Sequence, residues 1–175
     1  MAVVVRAEDV APQPWSNGGG VTRELLRADD GAWRVSLADI DTDGPFSSFP
    51  GARRLLTLVE GTVLRLVVDG VEHVVEPGRP FDFTGDAEVT ASLPEGPVRV
   101  LNVFASGAVE AFVTVLEVGR TSTLPLADDQ SALVLQGRAD VDGSEVAALG
   151  LVAGPLELSG RCTLAVITLQ RSGEK

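Results

Sequence analysis

The feature that most restricts the fold of this chain is a set of landmarks that occurs twice. Val59-Glu60-Gly61 returns as Leu135-Gln136-Gly137, Asp69-Gly70 as Asp142-Gly143, Gly78 as Gly154 and Thr84-Gly85 as Ser159-Gly160, at offsets of 76, 73, 76 and 75 residues. Nearly constant offsets point to a repeated unit. Between the landmarks, apolar residues alternate with polar ones or form short runs bounded by Gly, Pro and Asp, the pattern of strands rather than helices. Asp-Gly supplies the positive φ angles of a tight two-residue turn, so hairpins are expected over Leu64 to Val75 and Leu133 to Glu145. Each unit reads strand, Gly, strand, Asp-Gly turn, strand, Pro-Gly or Gly-Pro turn, strand, which is the order of a small double-sheet jelly roll. The expectation is an all-β chain of two fused barrels, with the site in residues 1–108 and a degenerate, supporting barrel in residues 109–175. Exchange of strands between the halves stays open.

Composition narrows the function. A net charge of -11, with the 14 Lys and Arg scattered and the one lysine at Lys175, gives no basic patch for phosphate neutralisation. Direct binding of nucleic acid or of an anionic membrane is not expected. Cys162 is the single cysteine, so no intramolecular disulfide forms. The N-terminus has no secretory pattern and no apolar run approaches the length of a bilayer span. These features together lead to the expectation of a cytoplasmic location.

Chemistry is densest in Pro14-Trp15-Ser16-Asn17-Gly18-Gly19-Gly20-Val21-Thr22-Arg23-Glu24 and in Trp33-Arg34-Val35-Ser36-Leu37-Ala38-Asp39-Ile40-Asp41-Thr42-Asp43-Gly44-Pro45-Phe46-Ser47-Ser48-Phe49-Pro50-Gly51, which hold neither His nor Cys. These strings, with Pro80-Phe81-Asp82-Phe83-Thr84-Gly85-Asp86 and Gly96-Pro97-Val98-Arg99-Val100-Leu101-Asn102-Val103, resemble the HutD/Ves family of bacterial bicupins. The resemblance covers the first 105 or so residues; beyond Ser106 the reading rests on pattern. It implies two cupin (RmlC-like) barrels in one chain. It also implies a link to histidine utilisation, with modulation of that pathway through an intermediate such as formiminoglutamate, although some family members lie outside such operons.

Read residue by residue, the same stretch loses several chemistries. Cupin metal centres use two or three His with a Glu, and this chain has His73 alone, so no metal or other cofactor is expected. Opposite Leu66 in its hairpin, His73 is read as a core histidine, with a ligand contact as the alternative. Asp39-Ile40-Asp41-Thr42-Asp43-Gly44 imitates the start of a calcium loop, but Pro50 stands where the twelfth-position Glu belongs. Asn17-Gly18-Gly19-Gly20 lacks the Gly-Lys-Ser/Thr ending of a phosphate loop and is read as a turn entering the strand Val21 to Leu26. Cys162 and His73 lie in different repeats, so neither a Cys-His dyad nor a Ser-His-Asp triad is supported.

What remains is a binding site. Strand alternation puts Arg34, Ser36 and Ala38 on one face and Trp33, Val35 and Leu37 on the other, and it points Arg23 and Glu24 to opposite sides. Arg23, Arg34 or Arg54 suits a carboxylate, because a planar guanidinium binds it bidentately. Asn17, Ser36 and Asn102 suit neutral polar groups, Asp39 or Asp41 an N–H donor, and Trp15 and Phe49, on proline-stiffened loops, an apolar stem. Each has a scaffolding alternative: ion pairing for Arg23, turn capping for the aspartates, core packing for the aromatics, a strand-to-strand tie for Asn102. The leading expectation is a metal-free protein that binds a small polar or carboxylate metabolite without catalysis, with a homodimer left open. The competing one is a metal-independent isomerase, epimerase or hydrolase using Glu24 or an Asp as base.

Overall fold

The computed structural model describes residues 2–173, and these are strands joined by turns with a single 3-10 turn at Ala7–Asp9. The chain divides into two compact units, one of residues 11–109 and one formed by residues 2–10 together with 110–173. Where the sequence pattern puts the first residues with the first barrel, Val3–Arg6 pairs antiparallel with Gly150–Ala153 and so completes a sheet of the second unit.

In the unit 11–109, a six-stranded sheet runs in the order Gln13–Pro14, Gly20–Arg27, Trp33–Ile40, Val98–Ser106, Ala52–Glu60, Phe81–Thr84. A four-stranded sheet runs in the order Gly44–Pro45, Val89–Ser92, Leu64–Val68, Val71–Val75. One buried cluster includes Ala38, Ile40, Leu56, Leu58, Val98 and Val100 of the first sheet and Leu64, Leu66, Val75, Val89 and Ala91 of the second. That cluster is the interior of a two-sheet barrel. It fixes which face of each strand looks inward, because side chains alternate along a strand. Val35, Leu37, Leu101 and Val103, on the opposite face of the six-stranded sheet, are also buried, which explains the nearly unbroken apolar runs in these strands.

In the second unit, Gln130–Val141 is the organising strand. Its first part pairs with Gly150–Ala153 and Cys162–Arg171, and its last residues pair with Ser144–Ala147 and, at Asp140, with Leu156–Ser159. Thr123–Leu126 extends the sheet from Leu156–Ser159, and Val109–Val118 pairs with Cys162–Arg171. Its core gathers Val118, Val134, Val141, Val146, Leu158 and Leu164. The two units are cupin-type barrels, and the chain is an all-β bicupin.

Both expected hairpins form. Asp69 and Gly70 have φ of 46° and 81°, and Asp142 and Gly143 have φ of 52° and 79°, so each turn takes both residues into the left-handed region as a type I′ turn requires. The first sets Leu66 opposite His73 and Val68 opposite Val71, as the two-residue turn demands. Cys162 is 5 % exposed, and burial pushes its thiol pKa up, so little thiolate is present to react. A thiol reagent at neutral pH is expected to label Cys162 slowly in the native protein and rapidly in denaturant; fast native labelling would contradict its place in the core.

Candidate functional site

The register of the six-stranded sheet builds the site. Val98–Ser106 lies between Trp33–Ile40 and Ala52–Glu60, with Phe104 opposite Arg34 on one side and Arg54 on the other, and Arg54 in turn opposite Phe83. Arg34, Phe104, Arg54 and Phe83 therefore form a row across the inward face. In the next row Glu24, Ser36, Asn102 and Leu56 are aligned.

Arg54 is 5 % exposed and has no carboxylate partner among the described residues. Its guanidinium carbon lies 4.8, 4.9, 5.2 and 5.3 Å from the ring centroids of Phe104, Phe83, Phe49 and Phe46. Its Nη1 donates to the Ser47 carbonyl at 3.4 Å, and Nε is buried without a partner. Burial, and then the charge of Arg34, pulls its pKa down to about 10. Arg34 stacks on Phe104 and Phe49 at 4.3 and 4.9 Å, and burial lowers its pKa too, opposed by Glu24. Ring faces attract a cation but satisfy none of its N–H donors. The pair is a cationic site still in want of acceptors.

Phe49 shares both arginines and packs on Phe104 at 4.8 Å. Its loop is tied to Gly85, whose carbonyl accepts the Phe49 N–H at 2.8 Å and the Ser48 hydroxyl at 3.2 Å, while its N–H donates to Ala52 at 2.7 Å. A Cβ on Gly85 would lie 2.1 Å from the Phe49 carbonyl oxygen, so this close approach needs glycine. Beside the pair, Arg27, Arg34, Phe49, Pro50, Phe104 and Ser106 line an open groove of about 330 Å³.

Of the residues singled out from sequence, Arg34, Ser36, Phe49, Arg54 and Asn102 come together on the inward face. Ser36 and Asn102 are 2 % and 6 % exposed, and the Asn102 side-chain oxygen is buried without a partner. Trp15 and Asn17 lie apart from these, in a cleft of about 220 Å³ with Ile40, Thr42, Asp43 and Phe46. There the Trp15 indole donates to the Thr22 hydroxyl at 2.8 Å and the Asn17 side-chain oxygen Oδ1 accepts the Gly19 N–H at 2.9 Å. Phe46 connects the two places, meeting Trp15 edge-on at 6.1 Å.

Arg23 and Asp39 are on the opposite face. Asp39 binds Arg23 at 3.1 Å and also Arg99, which reaches on to Glu60. This hydrogen bond raises the Arg99 pKa. With two guanidinium groups on it, Asp39 is a strand tie and not an acceptor in the barrel. Asp41 is exposed, and Asp43 accepts the Leu93 N–H at 2.8 Å, closing its loop. Phe83 and Phe104 complete the ring of aromatics and carry no polar label to draw attention in a sequence; the signal available was Phe104 two residues from the buried Asn102. Metal chemistry of the usual cupin kind is not equipped here: His73 rests against the Phe81 ring at 4.8 Å, and no cluster of three His, Cys, Asp or Glu occurs among the described residues. No helix among them is long and apolar enough to cross a membrane.

Fold and site thus define a bicupin with two ring-stacked arginines in the unit 11–109. The chain belongs to the HutD family, whose sequence profile matches residues 7–163. It is 39 % identical over 111 residues to an uncharacterized 21.2 kDa protein in the hutC 3′ region of Pseudomonas putida, covering 57 % of this chain and 56 % of that one. Over 95 residues it is 41 % identical to the protein Ves of Citrobacter koseri, covering 51 % of this chain and 50 % of that one. The chain spans about half the length of these curated relatives. The solved structure of HutD from Pseudomonas fluorescens SBW25, from a formate condition, is 31 % identical and superposes with a TM-score of 0.82, covering 97 % of this chain and 100 % of that one.

Two outcomes follow for the site. Arg54→Met removes a buried charge that no carboxylate balances and keeps an unbranched side chain, so urea denaturation is expected to show unchanged or higher stability, by about 1 kcal/mol. A loss of several kcal/mol would make Arg54 a structural residue. Gly85→Ala is expected to cost about 2 kcal/mol or more and to shift the Phe49 loop, read as a lower urea midpoint together with weakened ligand binding.

Proposed function

We propose that this protein binds a small carboxylate-bearing metabolite through Arg54 and Arg34, and that it serves as a sensor or modulator rather than as a catalyst. The observation that carries the reading is Arg54, a buried guanidinium set among aromatic rings, with no carboxylate partner and with Nε unmatched. Natural proteins hold such a group against its desolvation cost where a ligand completes it. A carboxylate meets the planar fork of a guanidinium with paired hydrogen bonds. Formate, present in the condition of the solved Pseudomonas fluorescens relative, is the smallest such group.

The metabolic setting is proposed from the relatives. The Pseudomonas putida relative is described by its place beside hutC, and the HutD family name points to histidine utilisation. Formiminoglutamate and urocanate, carboxylates of that pathway, are therefore the first ligands to try. Asn102 and Ser36 would read neutral polar groups, and Phe49 would cover an apolar stem.

Calorimetric titration and thermal shift with formiminoglutamate, urocanate, histidine and glutamate test this. At least one is expected to bind at millimolar concentration or below, with the affinity falling about tenfold or more in Arg54→Met. Silence from all four, or binding indifferent to Arg54, would overturn the reading, and conversion of a bound acid to product would turn it into catalysis.

A further inference from the structure

Glu24 is the one carboxylate that the register of the six-stranded sheet places on the inward face. The strand Gly20–Arg27 alternates so that Arg23 pairs with Asp39 on the outer face, while Thr22 takes the Trp15 indole on the inner one and Glu24 lies opposite Ser36. Ser36 is opposite Asn102, so Glu24, Ser36 and Asn102 form a polar row directly beside the row that holds Arg34 and Arg54. Glu24 is the negative charge whose field acts on Arg34, yet its ion-pair partner is Arg27, at 3.4 Å and in the open, with side-chain exposures of 35 % and 64 %. A pair so exposed holds its carboxylate weakly. Arg27 also lines the groove beside Arg34, so the Glu24–Arg27 pair lies next to that groove.

We propose that the pocket selects a zwitterion, with the Arg34–Arg54 pair receiving the carboxylate and Glu24 receiving an ammonium or amidinium group of the same molecule. The proposal rests on the carboxylate-binding reading above and adds to it the second charge of the ligand. The polar row offers acceptors: the Glu24 carboxylate and the side-chain oxygen of Asn102, which is buried without a partner. A ligand that brought only further acceptors to this row would face like-charge repulsion at Glu24 and leave Asn102 unmatched, whereas one that brings N–H donors satisfies both. Asp39 does not take this part, since it is held by Arg23 and Arg99 on the other face.

Glutamate and glutarate form a matched test pair, equal in carboxylates and chain length and different in the α-ammonium group. Titration of the full chain is expected to show glutamate binding at least about tenfold tighter than glutarate, the effect of one charge-assisted contact. In Glu24→Gln this preference is expected to shrink to about twofold or less, with glutarate binding as well as before or better, and with the far-ultraviolet spectrum unchanged. Equal binding of the two acids by the wild type, or a preference that survives in Glu24→Gln, overturns the assignment of Glu24 while leaving the carboxylate reading intact so long as Arg54→Met weakens both. Silence from both acids defeats the zwitterion assignment; if formiminoglutamate and urocanate are silent as well, the carboxylate reading falls with it.

Discussion

The backbone pairing of Val98–Ser106 between Trp33–Ile40 and Ala52–Glu60 is the constraint on which the site depends. Side chains alternate with a period of two, so a slip of one residue in either ladder would exchange the faces of the whole strand. Register alone brings Arg34, Phe104, Arg54 and Phe83 into one row and Glu24, Ser36 and Asn102 into the next. The register is held by apolar burial on both faces: Val100, Leu56 and Ile40 inward, Val103, Leu101 and Val35 outward, each 1 % exposed or less. A slip would expose or misplace all of these at once.

The same alternation sorts the charges into two regimes. On the outer face Asp39 lies between Arg23 and Arg99, and Arg99 also reaches Glu60, so every member has an opposite charge at hand. On the inner face the two arginines have rings in place of carboxylates. Ring faces soften the loss of water around a guanidinium without matching its donors. The inner arrangement is thus a deficit of negative charge around the two guanidinium groups, fixed by packing.

Much of this was legible in the chain. The duplicated landmarks pointed to a repeated β unit, and the Asp-Gly pairs to both hairpins, because those turns take both residues to positive φ. Alternation correctly separated Arg34 and Ser36 from Val35 and Leu37, and Arg23 from Glu24. What alternation could not supply was the choice between Asp39 and Glu24 as the carboxylate near the site: that depends on which face of the sheet looks into the barrel, set by packing of the four-stranded sheet and not by local pattern. Nor could it reveal that Arg34 lies on Phe49 and Phe104, since stacking partners fifteen and seventy residues away are invisible to local spacing. Trp15, Phe46 and Phe49, on proline-bounded loops, were expected as one aromatic wall; Trp15 meets Phe46 edge-on, and Phe46 and Phe49 share Arg54.

The pairing of Val3–Arg6 with Gly150–Ala153 has a consequence for how the molecule is made. The unit that carries the arginine pair is one continuous stretch, residues 11–109, and its strands precede every strand of the second unit except Val3–Arg6. The second unit is discontinuous: Val3–Arg6 must wait for the far later Gly150–Ala153 before its neighbour exists. Closing that long loop is an entropic step which the first unit does not face. Vectorial synthesis therefore favours a chain whose unit 11–109 is folded early, while Val3–Arg6 stays unpaired until Gly150–Ala153 is made.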